Sequence, residues 1–378
     1  MEGTGLKQWM RAVGTLFATV VGVGVFGLPY VFSRAGFGLA LIELAVLTLV
    51  IVVVSLMYAE LTMATPGKHR YVAYIQHALG PVGGKIAGVV VLLSVFGALW
   101  AFTIIGGDFL SALLPGLSPI LASIAVLAIA ALLASGGLRF VSQIVVWIVL
   151  GLLALYAILI VSAVPSFAVA HLPHHALTFR QLVLPYGVIL FSLTGIGAIP
   201  EMHDLLGRRP RRLIPAILAA YGLIFLLYAL FAFFVVGASG AATSADAISG
   251  LAPFVAPWVS TLGALLGTIS VISIFTLLSM ENINSFVIDM HLSHRYAFLI
   301  TFGVPVALFL LASHQFISVM GLVGAILNGA LGILIILAYE RQKKTGKKRL
   351  TFHLPHALSF LVFIALALGM IVEIVYTK

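Results

Sequence analysis

The chain contains 378 residues, of which 62% are hydrophobic and 8% are charged, and its mean hydropathy is +1.22. Soluble domains carry about 25% charged and roughly 45–50% apolar residues, so this composition excludes an ordinary soluble domain, a collagen and a disordered chain. The lack of cysteine also excludes disulfide-rich scaffolds, thiol nucleophiles and cysteine-ligated metals. The sequence therefore predicts an all-α polytopic membrane protein.

Eleven apolar segments approach the roughly 20 residues that a helix needs to cross the hydrocarbon core. They cover residues 12–33, 38–62, 85–114, 118–135, 140–164, 181–206, 213–237, 257–288, 296–313, 316–339 and 354–376. The fourth and ninth segments are the shortest. Lys7 and Arg11 precede the first segment as in a signal peptide, but no small-residue cleavage site follows, so we expect a retained span.

The basic residues predict the orientation. The net charge of +9 does not indicate nucleic-acid binding, because the cations lie in short runs between apolar segments. With a cytoplasmic N-terminus, seventeen of the twenty lysines and arginines lie inside, and only Arg34, Arg180 and Lys378 lie outside. This bias follows the positive-inside rule, and eleven spans place the C-terminus outside. We expect a multi-pass protein of a prokaryotic inner membrane, surrounded by lipid and without a nucleic-acid partner.

Two loops are long enough to carry structure of their own. Residues 63–84 include an amphipathic stretch between Pro66 and Pro81, which predicts a cytoplasmic surface helix. Residues 238–257 are small and polar, which predicts an external loop.

Two spans contain the same helix-breaking pattern. Gly24 precedes Pro29 by five residues, Gly195 precedes Pro200 by five residues, and the two pairs are 171 residues apart. Proline removes a backbone donor and clashes with the preceding turn, while glycine lowers the cost of leaving helical geometry. Interrupted helices at matching places in two halves point to a transporter's binding site. We therefore expect Gly24 and Gly195 to lie at non-helical breaks near mid-membrane and to face each other across a cavity. The alternative is that these glycines only permit close helix packing.

The common offset predicts an internal repeat. Residues 1–164 would form the first half, with helices one to five, and residues 181–339 the second half, with helices six to ten. Because each half contains an odd number of spans, the second half would be inverted relative to the first. Residues 354–378 would form an additional eleventh helix outside the repeat.

The two broken segments also carry a family resemblance. The run GVGVFGLPYVFSRAGFGLAL (Gly22–Leu41) resembles the first helix of amino acid permeases of the amino acid/auxin and hydroxy/aromatic groups, in the amino acid–polyamine–organocation superfamily. The run YGVILFSLTGIGAIPEM (Tyr186–Met202) resembles their sixth helix. The resemblance implies a LeuT-type 5+5 fold, with the substrate held between helices one, three, six and eight. We expect secondary active transport of an amino acid by alternating access, as a symporter or an antiporter.

The resemblance also implies which residues surround the substrate. They are Thr19, Val21, Gly22 and Gly24 of helix one, Phe96 and Trp100 of helix three, and Phe191, Ser192, Thr194 and Gly195 of helix six. A broken helix offers free N–H groups to a carboxylate and free carbonyls to an ammonium group or a cation. The alternative is that the hydroxyls bond to carbonyls of their own helix and that the aromatic rings only pack. With no charged side chain at the breaks, we expect a neutral, apolar or aromatic amino acid.

The coupling ion is either sodium or a proton, and we expect no other cofactor and no metal. In sodium-coupled relatives, helix-eight oxygens join helix-one carbonyls around a cation, which implies the backbones of Ala18 and Val21 with Ser270 and Ser273. Ser273 is the one hydroxyl well placed for this, and a second is lacking, which favours the proton slightly. No ATP-binding motif is present in the sequence.

Other polar residues have competing interpretations. Glu43 and Asp108 are either proton carriers or side chains solvated near the membrane surface. The polar groups around Glu201 and Glu281 indicate a cytoplasmic gate or simple helix ends. The histidines His171, His174 and His175 are more typical of a chance surface cluster than of a metal site.

Two other classes of protein are alternatives to an amino-acid transporter. One is a channel, or a carrier for a metal ion, a nucleobase or another small solute, on the same scaffold, but neither break contains Asp, His, Met or Cys. The other is an intramembrane enzyme, but no His-Glu-x-x-His helix or Ser–His or Ser–Lys pair lies within the spans. The oligomeric state stays open.

Overall fold

A computed structural model of the chain describes residues 2–65, 67, 69–135, 138–174, 178–207, 210–288, 290–345 and 354–376. Within these ranges the chain is helical and contains no strand. The α-helices are α1 (Glu2–Val20), α2 (Leu28–Ala35), α3 (Phe37–Ala64), α4 (Tyr71–Leu113), α5 (Pro119–Ser135), α6 (Leu138–Ala163), α7 (Phe179–Leu193), α8 (Ile199–Leu205), α9 (Pro210–Ser239), α10 (Ile248–Leu251), α11 (Pro257–Ile288), α12 (His294–Leu311), α13 (Phe316–Leu322), α14 (Gly329–Thr345) and α15 (His356–Tyr376).

The described residues include nine helices long and apolar enough to cross a membrane. A tenth candidate is the pair Gly5–Val20 and Val23–Ala35, which is bent by 53°. Helix α5 is a shorter apolar helix at the predicted fourth span. The structure thus confirms a polytopic all-helical protein, while the total of eleven crossings stays a prediction.

Apolar side chains cover the outside of these helices. Ile42, Leu49, Leu132 and Leu361 are each more than 60% exposed. A soluble monomer rarely exposes apolar patches larger than a few hundred Å². The outer surface is therefore suited to hydrocarbon, while the core lies between the helices.

The predicted surface helix and the third span form one bent helix, α4. Gly80 has φ 84°, a left-handed conformation that glycine adopts without steric cost, and Pro81 follows it. The segment Tyr71–Leu113 therefore turns at Gly80 without an intervening loop. Pro66, the other predicted boundary, lies outside the described residues.

The side chain of Asp246 makes hydrogen bonds within the predicted external loop, residues 238–257. Asp246 accepts hydrogen bonds from the backbone N–H of Ser249 at 3.2 Å and from its hydroxyl at 2.6 Å. Ser244 also donates to Asp246. These bonds fix the short helix α10 within the loop.

The two spans that the sequence predicts to be broken pack on each other and on α9. Helix α1 packs on α8 and α9, while α2 packs on α7 and α9. A π-helical turn, Val323–Asn328, interrupts the tenth span beside α7. There the backbones of the two helices touch, since a Cβ on Gly187 would collide with the carbonyl of Gly321.

Candidate functional site

The first predicted break lies where the sequence places it. Helix α1 ends at Val20, and Gly22 has the non-helical angles φ −136° and ψ −149°. The turn Val23–Gly27 then leads into α2, which has Pro29 in its first turn. Proline is tolerated there because its missing N–H has no partner at a helix start.

The second break has the same order of parts. Helix α7 ends at Leu193, and Gly195 has φ −155° and ψ 26°. The turn Ile196–Ala198 leads into α8, again with Pro200 in the first turn. Both glycine–proline pairs therefore lie at interruptions of a membrane helix.

The two breaks are in direct contact. The hydroxyl of Ser192 donates to the carbonyl of Gly24 at 2.9 Å and lies 2.9 Å from the carbonyl of Val188. A Cβ on Gly24 would lie 3.1 Å from the Ser192 hydroxyl and 3.3 Å from the ring of Phe191. The expectation that Gly24 and Gly195 face each other across a cavity is corrected here, because Gly24 packs directly on the second broken helix.

Two buried tyrosines, which the sequence did not single out, bind the carbonyls freed by the breaks. Tyr156 of α6 donates to the carbonyl of Gly22 at 2.9 Å. The hydroxyl of Tyr228 of α9 lies 3.0 Å from the carbonyl of Val20 and 2.8 Å from that of Ser192. Unpaired backbone groups at membrane depth are tolerated only when protein or water satisfies them. Tyr228 therefore joins the two broken helices.

Three of the predicted site hydroxyls bond to their own helices. The hydroxyl of Thr19 donates to the carbonyl of Thr15 at 2.8 Å, and that of Thr194 donates to the carbonyl of Leu190 at 2.7 Å. Ser273 donates to Ile269 at 2.7 Å. Each of these hydroxyls therefore makes the hydrogen bond to its own helix that the alternative interpretation expects.

Ser270 and Ser273 are three residues apart in α11 and share a helix face, and Ser270 is the more buried of the two. It is 2% exposed and precedes Ile274 by one turn. The side chain of Ile274 would lie 3.6 Å from a Cβ on Gly22, so this side of α11 approaches the first break. An ion shared by Ser270, Ser273, Ala18 and Val21 stays a prediction.

A polar stripe on α1 ends at the first break. Arg11 and Thr19 are exposed, and the hydroxyl of Thr15 between them donates to the Arg11 carbonyl at 3.0 Å. At 3.6 residues per turn, Thr19 lies on the side of the helix opposite the exposed Met10. The stripe therefore faces away from the apolar surface that Met10 presents.

The second break is also open on this side. Gly197 is exposed, with no atom within 4 Å of the position a Cβ would take. Glu201, one turn later, is exposed, and its charge and that of Arg70 act on Glu281. Arg70 donates to the hydroxyl of Ser285 at 3.1 Å. Polar surface thus reaches both breaks from the face that carries the N-terminus.

Phe96 and Trp100 lie apart from these contacts. The ring of Phe96 is 6.4 Å from that of Phe286. The indole N–H of Trp100 donates to the carbonyl of Ser313 at 3.1 Å, and Trp100 lines a cavity of about 690 Å³ together with Arg180. Of the predicted aromatic walls, Phe191 is the one beside a break.

The remaining polar candidates lie elsewhere. Asp108 lines a cavity of about 400 Å³ beside Asp246, and Glu43 lies within α3. His171 is 2.9 Å from the carbonyl of Gly237 through Nδ1. Among the described residues, which exclude His175, no group of three or more His, Cys, Asp or Glu could hold a metal.

The architecture defines a multi-pass membrane protein with two interrupted helices in contact at its centre. A family model described as "Transmembrane amino acid transporter protein" matches residues 6–372. The chain therefore belongs to the transmembrane amino acid transporter family, which is a family of transporters and not of enzymes. No curated protein matches it. The family indicates amino acid transport, with a small-molecule amino acid as substrate.

Proposed function

We propose that the protein is a secondary active symporter of a neutral, apolar or aromatic amino acid, with the two helix breaks as its substrate site. The observation that carries this proposal is the contact between the breaks through Ser192, Gly24 and Tyr228 in a member of an amino acid transporter family. Matching breaks in two halves of a transporter are the best sequence pointer to its binding site.

The breaks supply the groups that bind an amino acid backbone. The turns Val23–Gly27 and Ile196–Ala198 begin with N–H groups that have no partner within their helix. Helix N-termini favour a carboxylate, and the carbonyls beside them favour an ammonium group. Burying an unpaired charge costs several kcal/mol or more, and neither break carries a charged side chain, so a neutral substrate is favoured.

An inverted repeat of the LeuT type is part of the proposal. Helix α2 begins at Leu28 and α8 begins at Ile199, which is the 171-residue offset of the glycine–proline pairs. Residues 1–164 and 181–339 would then be the two halves, with α15 outside them. This arrangement supports alternating access, in which the halves move around a fixed site.

The membership in the amino acid–polyamine–organocation superfamily and the cytoplasmic N-terminus also stay proposals. The first is supported by the two resembling segments, and the second by the distribution of the twenty cations. A prokaryotic inner membrane is the location that we infer from the same reasoning. The driving ion is a proton or sodium.

Binding and uptake by the purified full chain test the function. We expect leucine, phenylalanine or tyrosine to raise the melting temperature more than lysine, arginine or glutamate does. Proteoliposomes with only a proton gradient, then only a sodium gradient, should accumulate the best binder in one of the two conditions. Protein-free liposomes are the control. Preference for a charged amino acid would refute the substrate class, and a lack of binding and uptake of every amino acid would refute the function.

A further inference from the structure

A cavity with both polar and apolar walls lies between helices α4, α7, α13 and α15. Its volume is about 690 Å³, and its lining includes Trp100 of α4, Arg180 of α7 and Glu373 of α15. Small-molecule sites are clefts of about 300–1,000 Å³ with largely apolar walls and a few polar groups that orient the ligand. The cavity has the size and the composition of such a site, and we call it the Arg180 cavity.

The charged groups of the Arg180 cavity lie close to one surface of the membrane. Arg180 is the second residue of α7, and Glu373 lies three residues before the end of α15 at Tyr376. At 1.5 Å per residue, each is within about 5 Å of the end of its helix. Ser313, in the connection between α12 and α13, also lines the cavity. These polar groups are therefore at the depth where lipid headgroups meet the hydrocarbon.

Most of the remaining wall is apolar. It is formed by Val183, Leu184, Ile317, Val319 and Leu322. The indole N–H of Trp100 is already bound by the carbonyl of Ser313 at 3.1 Å, so the ring offers the cavity an apolar surface. Tryptophan is enriched at membrane interfaces, where its ring and its N–H both find partners. An occupant therefore needs a polar end and an apolar end.

Lipid-facing side chains flank the Arg180 cavity on two helices. Phe179 and Leu182 of α7 are 57% and 48% exposed, and Ile374 and Val375 of α15 are 46% and 67% exposed. Apolar side chains exposed on a membrane span face hydrocarbon, so both helices border the bilayer beside the charged residues of the cavity. A membrane lipid reaches this place directly from the bilayer, which favours a lipid over a dissolved solute.

The side chain of Arg180 matches a phosphate. A guanidinium group binds phosphate through two parallel charge-assisted hydrogen bonds. In the orientation that the basic residues predict, Arg180 is also one of three cations on the outer side, against the positive-inside bias. A phosphate partner in the outer leaflet accounts for a cation at this position.

The side chain of Glu373 restricts the headgroup further. Its Oε1 atom would lie 2.9 Å from a Cβ on Gly321, and both residues line the cavity. A carboxylate in this position repels a headgroup with only negative charge. A primary ammonium group offers three N–H donors to a carboxylate, whereas the quaternary ammonium of choline offers none. A headgroup with a phosphate and a primary ammonium group complements both charged residues.

We propose that the Arg180 cavity binds an aminophospholipid, with the phosphate at Arg180, the ammonium group at Glu373 and the start of an acyl chain against Ile317. Phosphatidylethanolamine has this chemistry. Gly321 also packs against the backbone of Gly187, so the lipid lies beside the contact between α7 and the tenth span. The inference goes beyond the proposed function and depends on neither the transported amino acid nor the driving ion.

Native mass spectrometry of the intact chain, purified in detergent, tests the lipid site. The chain is mixed with equal amounts of phosphatidylethanolamine and phosphatidylcholine that carry identical acyl chains. We expect the wild-type chain to retain phosphatidylethanolamine in preference by at least about fivefold, which is about 1 kcal/mol. Arg180→Gln and Glu373→Gln should each reduce this ratio to less than about twofold. Arg34→Gln is the matched control and should keep the wild-type ratio, because Arg34 is an exposed cation that lies 5.2 Å from the ring centre of Tyr30.

Four outcomes would overturn the inference. Equal retention of the two lipids by the wild-type chain would exclude a headgroup site, and the wild-type ratio in both variants would place the lipid elsewhere. Stronger retention of phosphatidylglycerol than of phosphatidylethanolamine would identify an anionic lipid. If Arg180→Gln keeps the lipid ratio but loses a rise in melting temperature caused by leucine, the cavity binds a free amino acid. If Glu373→Gln does not fold, Arg180→Gln alone decides. Because the assay measures no transport, a failure of the proposed function is detected separately.

Discussion

The two breaks share a sequence pattern but differ in shape. The first is bent by 53°, whereas α7, its turn and α8 remain one continuous candidate span, Phe179–Leu205. The first break also depends on distant side chains, since its carbonyls are bound by Tyr156, Tyr228 and Ser192. At the second, Tyr228 binds the carbonyl of Ser192. The glycine–proline spacing determines where a helix is interrupted. Hydroxyl groups from other helices then stabilise the bent conformation by binding the carbonyls at the break.

Removing the group shared by both breaks should have the largest effect. In Tyr228→Phe the carbonyls of Val20 and Ser192 lose their common donor, and an unsatisfied buried group costs about 1–3 kcal/mol. We expect a lower melting temperature and a loss of uptake of more than tenfold. Tyr221→Phe on the same helix, which loses a bond of 3.1 Å to the Ser55 hydroxyl, is the control. Equal uptake in the two variants would contradict a special role for Tyr228.

The loss of stability and uptake on replacing a glycine at the breaks with alanine should be larger where less space surrounds the glycine. A Cβ on Gly195 would collide with the side chain of Val20, one on Gly24 would lie 3.1 Å from the Ser192 hydroxyl, and one on Gly197 would meet nothing within 4 Å. Overpacking costs about 1–3 kcal/mol. We therefore expect Gly195→Ala to lose the most stability and uptake, Gly24→Ala less, and Gly197→Ala the least. A larger loss in Gly197→Ala than in Gly195→Ala would show that contact between the breaks is not needed.

The sequence predicted both interruptions because glycine and proline act locally, through the backbone of their own helix. It did not identify Tyr156 and Tyr228, since their role depends on where α6 and α9 meet the breaks in three dimensions. The available signal was a hydroxyl inside an otherwise apolar span. The expected cavity between Gly24 and Gly195 was wrong for the same reason, because side-chain contact across helices is not encoded in spacing.

Removing the support of the first break alone should have a smaller effect than removing Tyr228. Tyr156→Phe leaves the carbonyl of Gly22 without its donor, while the bonds of Tyr228 to both helices remain. We expect a loss of stability near the lower end of the range of about 1–3 kcal/mol and a decrease in uptake of less than tenfold. Thermal melting and uptake of the same preparations measure both. A loss as large as that of Tyr228→Phe would mean that the first break alone controls activity.

The smallest effect is expected at Ser273. If Ser273 bound sodium with the backbones of Ala18 and Val21, Ser273→Ala would lower sodium affinity by more than tenfold, or about 1.4 kcal/mol. Its hydroxyl instead donates to the carbonyl of Ile269 at 2.7 Å. We therefore expect uptake by Ser273→Ala to stay within about twofold of wild type, sensitive to pH and indifferent to sodium. Ser270→Ala, at the more buried of the two serines, is the paired variant. Uptake driven by sodium alone and abolished in Ser273→Ala would contradict the preference for the proton and place a sodium ion at the first break.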